Sequence, residues 1–201
     1  MTEGPNPLTG CGCSGSDATD AQLRRREVIR IGAAVGAAVA LGPLGATAAS
    51  ARPAAGDMLV ADDVEANPVA IKAADVQVGK PVLVFPFDPS SKQIRNDSKF
   101  NKIVLVRVAE TDLDADSKAR AAGGVLAFSV ICTHQACDAK TWNAADKALV
   151  CFCHASKFLV LEGGRVASGP APRALPMLPL KLQGDQLVVA APFVTPPGSA
   201  G

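Results

Sequence analysis

From about Met58 onward the apolar positions recur as short, β-branched runs, at 69–71, 81–85, 103–108, 125–130, 148–150, 158–161 and 186–190, separated by Gly, Pro, Asp and Asn. Runs of this length and spacing predict strands, and no long stretch with a helical period competes with them. The expected fold class is all-β, an antiparallel sandwich or partly open barrel occupying residues 58–192. Residues 112–122 fit either a helical turn or a surface loop. The Pro- and Gly-rich end, 193–201, is expected to be a flexible tail.

The first 57 residues follow different rules. Residues 1–23 are rich in Gly, Ser, Thr, Asp and Pro and read as a disordered tail, with Cys11 and Cys13 an incidental pair inside it. Residues 24–51 begin with Arg24-Arg25-Arg26-Glu27-Val28-Ile29-Arg30 and continue without charge from Ile31 to Ala51, which is the layout of an export signal. The arginine pair resembles a bacterial twin-arginine signal, with Arg24 where Ser or Thr is usual. The apolar run is mostly Ala and Gly and contains Pro43, so it is too weakly hydrophobic for a strong membrane span. Small residues at 46–51 offer cleavage sites, and a cleaved leader is favoured over a retained membrane anchor. The expected location is the periplasm or the outer face of the cytoplasmic membrane. Because the twin-arginine route carries folded proteins, it suits a chain that receives a cofactor before export.

At 201 residues, the chain has room for one domain plus this leader. Twenty basic residues against 19 acidic ones, scattered and summing to +1, argue against nucleic acid as a partner. The informative chemistry is local. The chain has two histidines, and both lie within cysteine clusters: Cys132-Thr133-His134-Gln135-Ala136-Cys137 and Cys151-Phe152-Cys153-His154. Imidazole and thiolate together are ligands for zinc or for iron in an iron–sulfur cluster. Ligands so close in sequence cannot enclose a metal alone, so the two loops must meet at one end of the β domain.

The pattern Cys132-Thr133-His134-x-x-Cys137 with Cys151-x-Cys153-His154, followed by Ser156 and Gly169-Pro170-Ala171-Pro172, resembles the Rieske iron–sulfur proteins. The resemblance covers about 58–192, with its specific part at 132–172. It implies one [2Fe-2S] cluster in a small subdomain at about 130–175, with Cys132 and Cys151 as thiolate ligands of one iron and His134 and His154 as imidazole ligands of the other. It also implies a Cys137–Cys153 disulfide tying the loops together, Ser156 as a donor to a bridging sulfide, and a third loop containing Pro170 over the cluster. Where the family often has Tyr, this chain has Phe158, and it contains no Tyr elsewhere. Ala136, Phe152 and Ala155 stand where the family commonly has Gly, Pro and Gly, which opens the loops to an altered conformation.

A Cys2His2 zinc site would leave Cys137 and Cys153 unexplained, and a metal-free pair of disulfides would leave both histidines to coincidence. With both imidazoles committed to a cluster, none remains for a second metal or for acid–base catalysis. The expected role is one-electron transfer in partnership with a larger redox subunit or a cytochrome, as the Rieske subunit serves arsenite oxidase. The alternative is the quinol-oxidising iron–sulfur subunit of a cytochrome bc type complex. Gly169-Pro170-Ala171-Pro172 leans towards quinol; Gln135, Phe158 and the weak leader lean away from it. Losing the Tyr hydroxyl predicts a midpoint in the middle of the roughly −150 to +300 mV Rieske range.

Overall fold

The computed structural model describes residues 52–63 and 68–199. The tail, the leader, Cys11 and Cys13 lie outside the described residues. Twelve strands follow one another: β1 (Met58–Ala61), β2 (Val82–Asp88), β3 (Gln93–Ile94), β4 (Ile103–Arg107), β5 (Val125–Ser129), β6 (Ala139–Asn143), β7 (Ala148–Cys151), β8 (Ser156–Leu159), β9 (Arg165–Ser168), β10 (Met177–Leu178), β11 (Leu180–Gln183) and β12 (Gln186–Val189). The larger sheet runs β10-β5-β4-β2-β1-β12-β11, with β3 beside β2, and every named pair is antiparallel. Its two end strands, β10 and β11, are separated in sequence by Pro179 alone, so the sheet curls back on itself and is nearly closed. The smaller sheet is a meander, β6-β7-β8-β9.

The strands legible as unbroken apolar runs are those with two buried faces. In β4, Ile103 and Leu105 enter one core while Val104 and Val106 enter another. In β5, Val125 and Ala127 join the first and Leu126 and Phe128 the second. The first core, with Leu59, Val84, Leu180, Leu187 and Val189, fills the nearly closed sheet. The second packs that sheet against the smaller one through Ala139, Leu149, Cys151 and Phe158. Period-2 alternation therefore assigns side chains to two cores instead of core and solvent. The second core also contains Cys132, so the metal loops are rooted where the two sheets meet.

Two expectations are revised. The run at 69–71 makes one isolated bridge, Ala70 with Val60, instead of a strand, Lys72 just after it makes another with Gln186, and Val69 is 73% exposed. The end of the chain, expected to be loose, is tied down as far as it is described. The Arg173 guanidinium donates from Nη1 to Thr195 Oγ1 (3.2 Å) and from Nη2 to the carbonyls of Pro196 and Gly198 (both 2.7 Å). The segment left open at 112–122 contains a helix, α1 (Ala115–Arg120), capped by the Asp114 carboxylate accepting from the Ser117 N–H at 2.6 Å. Among the described residues no helix is long and apolar enough to cross a membrane.

Candidate metal centre

The first loop joins β5 to β6 and is closed by its own backbone. The Cys132 N–H donates to the Cys137 carbonyl (2.8 Å), and the Ala136 N–H donates to the Cys132 carbonyl (3.0 Å). The second loop is the turn of the β7–β8 hairpin, where Cys151 pairs with Ser156 across the ladder. Pairing of Ala139 with Cys151 brings the loops side by side. A Cys137–Cys153 disulfide, with Cα atoms 6.5 Å apart, then joins them as the resemblance implied.

The two loops carry the sequence-predicted ligands. Cys132 and Cys151 are free thiols, 1% and 2% exposed. The His134 and His154 rings lie at the surface, edge to face at 85°, with their Nδ1 atoms 3.2 Å apart. Burial pushes the Cys132 thiol above its ordinary pKa, and backbone N–H groups of His134 and Gln135 partly counteract this. A positive ion would offset that penalty, which isolated burial does not. The two loops thus carry two buried thiols and two imidazoles with nitrogens 3.2 Å apart, the sulfur and nitrogen donor types that a two-iron cluster with split ligation uses. Cys137, Cys151 and Cys153 also bring their sulfurs within 4.8 Å of one another, but two of these are bonded to each other, so only Cys151 offers a thiolate.

The third loop follows β9 and locks both others. Gly169 lies against the Ser156 backbone with φ +90°, a close approach that only glycine allows. Ser156 Oγ accepts from the Ala171 N–H at 3.2 Å, which leaves the hydroxyl proton free to donate elsewhere. Thr133, wholly buried, donates from Oγ1 to the Arg173 carbonyl at 2.7 Å. Neither Thr133 nor Arg173 stands out in the sequence, where the one signal is a threonine between the Cys132 and His134 candidates. Pro170 is exposed beside buried Ala171. Phe158 is fully buried in the core that also contains both free thiols.

The alanines at the family's glycine positions take up a backbone that glycine favours. Ala136 and Ala155 both adopt left-handed backbone, each with φ +57°. A left-handed alanine costs about 1–2 kcal/mol, and glycine returns about 0.4–1 of that as unfolded-state entropy. Ala136→Gly and Ala155→Gly are therefore each expected to stabilise the domain by about 0.5–1 kcal/mol in denaturant titration. A loss of stability on either replacement would refute the strain. Phe152, at the tip of the second loop, is 76% exposed.

Known proteins share this sequence pattern. The family profile of the Rieske [2Fe-2S] domain matches residues 69–179. The chain is 31% identical over 194 residues, 91% of its length and 84% of the relative's, to a Haloferax mediterranei protein provisionally described as a respiratory nitrate reductase subunit Rieske. It is 34% identical over 106 residues to the cytochrome bc1 complex Rieske iron–sulfur subunit of Corynebacterium diphtheriae, a match to 50% of this chain and 26% of that one. The chain thus spans about a quarter of that relative's length. The solved plasma membrane Rieske protein PetC3 of Synechocystis PCC 6803 aligns with 60% of this chain and 95% of its own, at 23% identity and a TM-score of 0.40.

The chain belongs to the Rieske [2Fe-2S] domain family. The cofactor of that domain is a [2Fe-2S] cluster, whose chemistry is one-electron transfer.

Proposed function

We propose that Cys132 and Cys151 hold one iron and His134 and His154 the other, and that the chain is an exported electron-transfer subunit of a respiratory oxidoreductase. The observation that carries the ligand assignment is the approach of the two imidazole Nδ1 atoms to 3.2 Å, on the same two loops whose Cys132 and Cys151 are buried free thiols. When bound, the cluster supplies a one-electron couple. The chain's own residues do the rest. The thiols keep one side of the site dry, and the imidazole edges, His154 exposed and His134 partly so, present the other side to a partner. Ser156 keeps its proton available to a sulfide, and Phe158 brings no hydroxyl to the neighbouring sulfur.

Donors to the sulfurs favour the reduced, more negative state, so each donor raises the midpoint potential. A hydrogen bond worth about 1 kcal/mol in one oxidation state corresponds to roughly 40 mV for one electron. In a redox titration, wild type is expected in the middle of the roughly −150 to +300 mV family range. Ser156→Ala should lower the midpoint and Phe158→Tyr raise it, each by roughly 40 mV. A wild-type midpoint near the top of the range, or an unmoved one in both variants, would overturn this account.

The match to the Haloferax protein, over 91% of this chain and 84% of that one, supports a partner of the respiratory reductase kind. The second reading, quinol oxidation in a cytochrome bc type complex, is favoured by Gly169-Pro170-Ala171-Pro172 and by the Corynebacterium match. Purification of the tagged chain from native membrane and soluble fractions distinguishes them: the first reading predicts a co-purifying large reductase subunit, the second a diheme cytochrome b. The leader supports delivery to the outer face of the cytoplasmic membrane. Cell fractionation with N-terminal sequencing tests that, and cytoplasmic holoprotein carrying an intact leader would exclude it.

A further inference from the structure

Three sulfur atoms crowd the base of the two loops. Those of Cys137, Cys151 and Cys153 lie within 4.8 Å of one another, two of them bonded as a disulfide and the third a free thiol. A thiol beside a disulfide is a nucleophile beside its electrophile. The three also differ in exposure: Cys151 is buried, Cys137 partly exposed and Cys153 exposed.

We propose that in the cluster-free protein Cys151 exchanges into the Cys137–Cys153 disulfide, so that loss of the cluster closes the cluster site covalently. The thiolate of Cys151 attacks Sγ of Cys137. A Cys137–Cys151 bond forms, the Cys137–Cys153 bond breaks, and its electron pair leaves on Sγ of Cys153. Cys153 then takes up from water the proton that Cys151 released. One disulfide and one thiol exist before and after, so no oxidant or reductant is needed. Exposure sets the direction. Attack on Cys137 expels the thiolate that water solvates best, whereas attack on Cys153 would leave a charge on the less exposed Cys137 and close a ring between residues two apart.

The inference rests on the reading of Cys151 as an iron ligand. A ligated sulfur is not free to attack, so cluster occupancy protects the loop-tying disulfide. Once exchanged, the chain has no Cys151 thiolate to offer iron. A productive order of maturation follows, with the cluster placed before or together with the disulfide, as folded export of a loaded protein would arrange.

The test uses the full-length holoprotein under anaerobic conditions, with iodoacetamide labelling under native conditions and peptide mapping before and after iron is removed by a chelator. Labelling of Cys153 should rise about tenfold or more on iron removal, with a matching amount of Cys137–Cys151 linked peptide. Cys132→Ser, which lacks one ligand but keeps all three sulfurs, should show the same linkage without any chelator. Cys151→Ser should leave Cys153 unlabelled. A cluster-free wild type that retains Cys137–Cys153 alone, or that instead contains a Cys132–Cys151 link, overturns the exchange. Iron and acid-labile sulfide content separates this from failure of the ligand assignment. Full content in Cys151→Ser would overturn that assignment, whereas an empty Cys151→Ser with an unchanged disulfide in cluster-free wild type would overturn the exchange alone.

Discussion

Replacing Cys132 or Cys151 by serine is expected to abolish the cluster. Iron and acid-labile sulfide in the purified variant should fall from two of each per chain to near zero, with loss of visible absorbance and of the reduced-state EPR signal. Both side chains are almost wholly inaccessible to water, and the two sulfurs within 4.8 Å of Cys151 are tied up in a disulfide, so neither is a ready replacement for a missing thiolate. Serine is a poor substitute because its hydroxyl remains protonated and its oxygen is harder than sulfur. Cys137→Ser makes the informative contrast. It removes a tie between the loops and not a ligand, so the cluster should assemble but the domain should lose about 3 kcal/mol, the amount expected for a closed loop of this length. That length follows from the 16-residue separation of the two half-cystines. Full iron content in Cys132→Ser would contradict the ligand assignment, and an empty Cys137→Ser would contradict the division of roles.

Gly169→Ala should damage the site without touching a ligand. A Cβ at this position would lie 2.4 Å from Ser156 Cα and 2.7 Å from Ser156 N, both backbone atoms that no side-chain rotation can move. Relief would have to come from shifting β8, which would disturb the Cys151–Ser156 pairing and the hydrogen bond from the Ala171 N–H to Ser156 Oγ. Backbone strain at positive φ contributes about 1–2 kcal/mol and overpacking about 1–3 kcal/mol, together about 3 kcal/mol. For a domain of this size that is a fall of about 10 °C in Tm, accompanied by faster release of iron. Gly184→Ala is the matched control, since Gly184 also has positive φ, +64°, but no atom within 4 Å of the added carbon. It should lose only the strain, about 1–2 kcal/mol, and release iron at the wild-type rate. Equal effects of the two substitutions would show that the close approach to Ser156 does not matter.

The different legibility of the elements has simple causes. β4 and β5 were readable because both of their faces are buried, which forces an uninterrupted apolar run. β6, Ala139-Lys140-Thr141-Trp142-Asn143, was not, because it lies at the edge of the smaller sheet with Lys140 and Thr141 exposed; its strand character comes from pairing with β7. β10 and β11 were hidden by their shortness and by Pro179 between them, although that junction is what nearly closes the larger sheet.

For the site, chemistry was local and geometry was not. Cys132, His134, Cys151 and His154 could be picked out by sequence because thiol and imidazole are scarce side chains with few other uses at that spacing. The backbone of the loops could not. Ala136 and Ala155 look like departures that should reroute the chain, yet closure by Cys132, Cys137 and the β7–β8 pairing holds both in left-handed backbone. Nor could the bracing be foreseen, because it is made between segments distant in the chain. Thr133 reaches Arg173 across 40 residues, and Arg173 reaches Gly198 across 25. Sequence by itself therefore determined the all-β class and the family and singled out the candidate donors, because apolar periodicity and the Cys and His side chains are properties of short stretches. Tertiary structure alone decided which thiols are buried, how the imidazoles converge, and that Cys151 lies beside a disulfide, because those depend on distances between loops that only the packed sheets set.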